Sequence, residues 1–209
     1  MIFRNREEAG QMLGESLLEL SLDPVVLAIP RGGVVVAAQV ARVLNAALDV
    51  IVPAKIRAPN QPELGIGAVA ADGTRVLDED AIAILRVTGD YLAREIELRL
   101  EEIQRRTVAY RGDRPEIELA GRDVVIVDDG IATGWTARCA ARSVRNRSPK
   151  SVILAVPVAP MEGVSRLEGD CDRVVCLQSP EPFLAVGRWY RDFDQVGDEE
   201  VLAALREVA

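Results

Sequence analysis

The stretch Val124-Val125-Ile126-Val127-Asp128-Asp129-Gly130-Ile131-Ala132-Thr133-Gly134-Trp135-Thr136 decides how this chain is read. Four consecutive β-branched residues predict a strand buried on both faces, because a half-solvated strand would alternate apolar with polar positions. Two carboxylates follow at once, then a loop with two glycines and two threonines. A helical pattern over 137–147 comes next, with Ala140, Ala141 and Val144 at helical spacing. Open α/β sheets bind their ligands at such strand C-terminal ends. The loop's backbone N–H groups, with a helix N-terminus behind them, suit a phosphate. The adjoining acids suit vicinal hydroxyls or a hard cation such as Mg²⁺. A phosphate beside a diol describes a ribose 5-phosphate. Asp-Asp-Gly alone is ordinary turn chemistry; the ligand reading rests on the whole string.

At 209 residues, 49 % hydrophobic and 28 % charged, the chain fits one domain with a substantial core. A formal net charge of −8 argues against a nucleic-acid surface, which calls for a basic patch. No apolar run approaches the roughly 20 residues of a membrane span, and the charged start, Met1 to Glu8, lacks the apolar segment of a signal peptide. The expectation is a cytoplasmic protein with no nucleic-acid or membrane partner. Cys139, Cys171 and Cys176 are odd in number and have no Cys-x-x-Cys spacing; Cys139 and Cys176 read as packing residues. The chain has no histidine, which removes Ser-His-Asp and Cys-His catalysis and leaves little for a zinc site.

Working outward, Asn5 with Glu8 predicts a helix N-cap, followed by an apolar face at Ala9, Met12, Leu13, Leu17 and Leu20. Val25 to Ile29 is a second buried strand, breaking through Pro30-Arg31-Gly32-Gly33 into a helix over 34–44. Val50-Ile51-Val52 reads as a third strand and residues 54–65 as a loop. Residues 66–71 and 74–77 pattern as a hairpin around Asp72-Gly73. Asp90 is the expected cap of a long charged helix over 91–110. Strands at 152–156 and 174–177 flank a short helix over 161–167. Alternating strands and helices predict an α/β fold: a doubly wound, mainly parallel sheet with helices on both faces.

Val125 to Thr136 resembles the phosphoribosyl pyrophosphate (PRPP) signature of the type I phosphoribosyltransferases: an apolar strand, two acids, and small residues ending in Thr-Gly-x-Thr. Neither a Walker-type Gly-x-x-x-x-Gly-Lys-Ser/Thr loop nor a Gly-x-Gly-x-x-Gly turn opens a helix anywhere in the chain. The resemblance implies one domain over 1–209, with a core over roughly 22–180 and a small variable hood built from the chain termini. It implies that Gly130, Ile131, Ala132, Thr133, Gly134, Trp135 and Thr136 hold the 5-phosphate. Asp128 and Asp129 would hold the ribose hydroxyls, directly or through Mg²⁺. Pro30-Arg31-Gly32-Gly33 corresponds to the family's pyrophosphate loop, where a non-proline cis peptide is expected at Arg31 or its neighbours. Arg31, Gly32, Gly33, Lys55 and Arg57 would face the pyrophosphate, Lys55 directly after a strand, with Arg31, Lys55 and Asp129 closest to the reaction.

The activity this implies is transfer of phosphoribose from PRPP to a small nitrogenous acceptor, with release of pyrophosphate. Its different-class alternative is a non-catalytic module of the same fold that senses PRPP or a nucleotide. Ala132 stands where hypoxanthine/guanine members place an aspartate that handles the purine, which turns the reading away from that acceptor class. Trp189, Tyr190 and Phe193 gather near the C-terminus, where a planar acceptor could stack on them. Trp135 could either pack or wall the site. Members of this family are commonly dimers, and the helix over 91–110 offers surface for a homodimer.

Overall fold

A computed structural model describes residues 1–208. Five parallel strands form the main sheet in the order β2-β1-β6-β7-β8: β1 (Pro24–Ala28), β2 (Ala47–Val50), β6 (Asp123–Val127), β7 (Ser151–Val158) and β8 (Arg173–Gln178). Strand residues alternate strictly between two cores. Val26, Ala28, Val125, Val127, Ile153 and Ala155 point to one face. Val25, Leu27, Val124, Ile126, Val152, Leu154 and Val156 point to the other. Helices α1 (Arg6–Leu18), α2 (Gly32–Leu44), α4 (Gly89–Arg111) and α7 (Asp198–Arg206) supply residues to the first core. The second is closed by α5 (Trp135–Arg145) with Leu167 and Cys171. The doubly wound parallel sheet is therefore present, with both faces covered as the unbroken apolar strands require.

Strand order reverses between β1 and β6. From β1 the chain winds through α2 to β2; from β6 it winds the opposite way through α5 to β7, then α6 (Met161–Ser165) to β8. At such a switch point the loops leaving the two central strands diverge and open a crevice. The Pro30–Gly33 loop and the Asp128–Gly134 loop are those two.

A second, antiparallel sheet, β3 (Ala54–Ala58), β4 (Gln61–Val69) and β5 (Arg75–Leu77), stands between β2 and β6 in the chain. This corrects the loop expected over 54–65. Lys55 lies inside β3 rather than just after a strand of the main sheet. Two signals hid the strands. Pro62 occupies the outer part of β4, which pairs with β3 alone, beyond the reach of β5, so its missing N–H costs little. Asn60 turns the hairpin at φ 60°, a conformation open to asparagine. The third parallel strand is also displaced: β2 ends at Val50 and pairs from Ala47, leaving Val52 as buried connection.

Local signals mostly act as read. The Asn5 side chain accepts the Glu8 N–H at 3.0 Å and starts α1. Thr88, not Asp90, caps α4, its hydroxyl accepting the Tyr91 N–H at 3.3 Å, while Asp90 sits in the first turn. Helix α5 begins at Trp135, two residues before its apolar pattern. Helices α3 (Glu79–Ile84) and α7 were not foreseen. Among the described residues no helix is long and apolar enough to cross a membrane.

All three cysteines are free, with Cys139 and Cys171 buried and Cys176 partly so. Burial pushes the Cys139 and Cys171 thiols up to about 12 and raises Cys176 as well. Since thiolate is the reactive form, native protein at pH 8 should react with Ellman's reagent far more slowly than denatured protein, which should release three equivalents. Rapid native titration of all three would contradict this packing.

Candidate functional site

Gly32 and Gly33 bring the first β-α loop into contact with the acids of the second. A Cβ at Gly32 would collide with Asp129 Oδ2 and lie 2.8 Å from Arg6 Nε; one at Gly33 would lie 2.9 Å from Asp128 Cα. Glycine here is a requirement of approach, and α2 starts directly from the contact. The peptide between Pro30 and Arg31 is cis, at the place the resemblance indicated.

Asp129 is held on several sides. Arg6 Nε donates to its Oδ2 at 2.8 Å, both side chains being largely buried. The same guanidinium donates from Nη1 to the Asp194 carbonyl at 2.9 Å and lies 3.8 Å from the centre of the Phe193 ring. The Tyr190 hydroxyl donates to the Asp129 carbonyl at 2.6 Å. Tyr190 packs between Phe3 and Phe193, at centroid distances of 5.4 and 5.0 Å. Phe3 and Tyr190 also form a parallel bridge that joins the two ends of the chain.

The Asp129 N–H donates to Asp128 Oδ1 at 2.8 Å. Burial, reinforced by the neighbouring Asp129 charge, pushes the Asp128 carboxyl well above the usual carboxylate range, against the pull of Lys55 and Arg6. Burial raises Asp129 too, with Arg6 opposing. Two adjoining carboxylates, one fixed by an arginine and one held up by desolvation and repulsion, form a centre of negative potential ready for a cation or for hydroxyl donors.

Beyond them the loop turns through Gly134, whose φ of +82° suits glycine, into the N-terminus of α5. Ile131 N–H donates to the Val158 carbonyl, and the first helical bond runs from Arg138 to Gly134. Among the described residues the N–H groups of Ala132, Thr133, Gly134, Trp135, Thr136 and Ala137 have no protein acceptor. That row of donors, with the positive helix end behind it, is an anion cradle. The Trp135 side chain turns away and packs with Ala68, Ala70, Val76 and Cys139, so it braces the hairpin instead of walling the site.

A cavity of about 440 Å³ opens over these groups. It is lined by Asp128 to Gly134 and Thr136, by Lys55, Arg57 and Glu63 of the second sheet, and by Ile29, Pro30 and Val186. Strand β3 alternates buried and exposed residues, with Lys55 and Arg57 on its exposed face. Helix α4 adds Arg99, Glu102 and Arg106, which were not singled out in the sequence; their spacing of three and four residues is the signal that marks one helical face. Arg6 left no such signal, because it meets Asp129 across 123 positions of chain.

The structure thus gathers Asp128, Asp129, Gly130, Ile131, Ala132, Thr133, Gly134, Thr136, Lys55 and Arg57 around one cavity. Arg31, Gly32 and Gly33 lie outside its lining, the glycines backing the carboxylates. Trp189, Tyr190 and Phe193 do not line it either. The Tyr190 and Phe193 rings are engaged with Phe3, Arg6 and each other, and the Trp189 indole N–H is buried without an acceptor among the described residues. The packing of Tyr190 and Phe193 thereby supports Asp129, directly and through Arg6.

Two outcomes are expected. Arg6→Met, which strands a buried carboxylate, should cost about 3 kcal/mol, or roughly 6–12 °C in melting temperature. Asp128→Asn should act oppositely. An acid with a raised folded-state pKa lets the folded state keep a proton that the unfolded state releases, so its contribution weakens as pH rises from about 3.8 through the raised value. Asp128→Asn should therefore melt above wild type at neutral pH, by about 2–4 °C per kcal/mol of relieved repulsion. The gap should close as pH falls to about 4; a gap that widened in acid would refute the raised carboxyl.

Residues 7–191 match the phosphoribosyl transferase domain family. The protein Rv0571c of Mycobacterium tuberculosis H37Rv, named provisionally as a phosphoribosyl transferase, is 45 % identical over 205 residues. That alignment covers 98 % of this chain and 46 % of the mycobacterial one, so the chain spans about half the length of the curated relatives it matches. The crystal structure of TT1426 from Thermus thermophilus superposes with a TM-score of 0.84 at 45 % identity, covering 100 % of both chains. A purine phosphoribosyltransferase from Pyrococcus horikoshii shares the fold at a TM-score of 0.50 and 18 % identity, covering 92 % of each chain. With the family match running from the first helix past the last strand, this chain belongs to the phosphoribosyl transferase domain family.

Proposed function

We propose that this chain moves the 5-phosphoribosyl group of PRPP to a small nitrogenous acceptor and releases pyrophosphate. One observation carries the reading: a row of uncommitted N–H donors at the start of α5 adjoins two half-buried carboxylates, and both face the cations of β3 across one cavity. In that order the three surfaces suit a phosphate, a diol and a pyrophosphate.

The donors of Ala132 to Ala137, with the Thr133 and Thr136 hydroxyls, would take the 5-phosphate. Asp128 and Asp129 would orient the ribose hydroxyls. Among the described residues no three His, Cys, Asp or Glu side chains gather around a common metal position. Two adjacent carboxylates nevertheless fit Mg²⁺, which commonly takes one or two protein carboxylates and fills its shell with substrate and water oxygens. Asp128 and Asp129 would hold it, and it would supply charge neutralisation to the departing pyrophosphate. Lys55 and Arg57 would stabilise the same developing charge.

Departure of pyrophosphate leaves oxocarbenium character on the ribose, as glycoside cleavage does. Such a reaction asks the protein chiefly for positioning and charge complementarity. Ala132 is exposed and carries no titratable group, which favours an acceptor whose nucleophilic nitrogen needs no base at that position.

PRPP and Mg²⁺ with a panel of nitrogenous bases should yield base-dependent pyrophosphate. Asp128→Asn with Asp129→Asn should lose at least about a hundredfold in rate and the rise in melting temperature that PRPP gives wild type. Absence of release with every base, alongside an intact PRPP shift, would replace transfer with the sensing role. Absence of the shift in wild type would remove the PRPP assignment.

A further inference from the structure

Helix α4 presents two adjoining stripes. Ile96, Leu100, Ile103 and Tyr110 pack on the first core and fix the helix's rotation. That rotation turns Arg99, Glu102 and Arg106 into the cavity, all three half-buried. Helix and second sheet are sewn together at Arg57: its N–H donates to Glu95 Oε1 at 3.2 Å, and its carbonyl accepts the Tyr91 hydroxyl at 3.1 Å. The α4 stripe and the exposed face of β3 thus form one continuous wall carrying Lys55, Arg57, Arg99 and Arg106.

Four cations on one wall repel one another, and the two half-buried ones, Arg99 and Arg106, also lose solvation. The wall answers with Glu102, which takes Arg99 Nη1 on one oxygen and lies 3.4 Å from Arg106 Nε on the other. Arg99 pairs with Glu95 as well as Glu102, yet its hydrogen bonding is incomplete. Arg99 Nε stands 3.2 Å from Glu95 Oε1 but out of line, so this buried N–H has no hydrogen-bond acceptor among the described residues. A carboxylate bridging two guanidinium groups occupies the place that a phosphate group fits better, with more oxygens and more charge. Arg106 shares the cavity lining with Lys55 and Arg57 of β3.

We propose that Arg99 and Arg106 of α4 bind the pyrophosphate end of the donor, and that Glu102 is a resident counter-ion which the incoming diphosphate displaces. The inference rests on the PRPP reading and extends it to an element outside both loops. It makes Glu102 an internal competitor: it keeps the arginines in place in the empty site and weakens anion binding by the same interaction.

Isothermal titration with magnesium pyrophosphate separates this from a structural role. Arg106→Met keeps the apolar stem against the helix and removes the charge; it should weaken binding by about tenfold or more. Glu102→Gln should tighten binding, by about threefold to tenfold. Glu101→Gln changes the net charge equally but lies on the exposed face, and should leave binding unchanged. A purely structural Glu102 would weaken binding when replaced, and that result, or an unaffected Arg106→Met, overturns the proposal. Wild type that shows a PRPP melting shift but takes up no magnesium pyrophosphate overturns it too, while leaving the transfer reading intact. Wild type that responds to neither ligand removes both.

Discussion

The site depends on one close approach, that of Gly32 and Gly33 to the carboxylates of Asp128 and Asp129. Parallel strands β1 and β6 are neighbours in the sheet, so their outgoing loops emerge side by side at the switch point. Without side chains at Gly32 and Gly33 the first loop closes onto the second, and the Arg6–Asp129 pair fits beneath it. The chain ends then lock the pair from outside, through the Phe3–Tyr190 bridge and the Phe193 ring under Arg6. Elements far apart in sequence thereby converge on the placement of one carboxylate.

That placement runs against the stability of the empty protein. Among the described residues Asp128 stands beside Asp129 without an ion pair of its own, and burial raises both carboxyls. A fold selected for stability alone would replace them, whereas a fold that must hold a ligand's hydroxyls or a metal retains the strain as binding capacity. The two acids are unequal. Asp129 is fixed by a guanidinium, and Asp128 faces the cavity with Lys55 as its nearest opposing charge in the second sheet.

Much of this was legible in the sequence. Unbroken apolar strands, Gly32-Gly33 and the string from Asp128 to Thr136 are local signals, and local chemistry fixes what they do. Four kinds of feature were not legible. The strands of the second sheet were masked by Pro62 and Asn60, whose turn-like character is real but tolerated where β4 has a single partner. The role of Arg6 needs a partner 123 positions away, and no periodicity encodes that. The aromatic cluster at Tyr190 and Phe193 looked like a stacking platform because composition cannot say which faces of a ring are already covered. Arg99, Glu102 and Arg106 were visible as a stripe, yet a charged helical stripe is normally solvated, and only the neighbouring sheet makes this one face inward.

The grip of α4 on Arg57 has a mechanical consequence. Because both the N–H and the C=O of that residue are held by side chains of the helix, the second sheet cannot peel away at β3 without giving up both bonds. A 23-residue helix spans about 35 Å, so this grip ties the second sheet to a long element of the fold. The helix is pinned at its other end too, where Tyr110 is buried and donates to Asp198 and Arg111 pairs with Asp49, so the wall of the cavity is held at both ends.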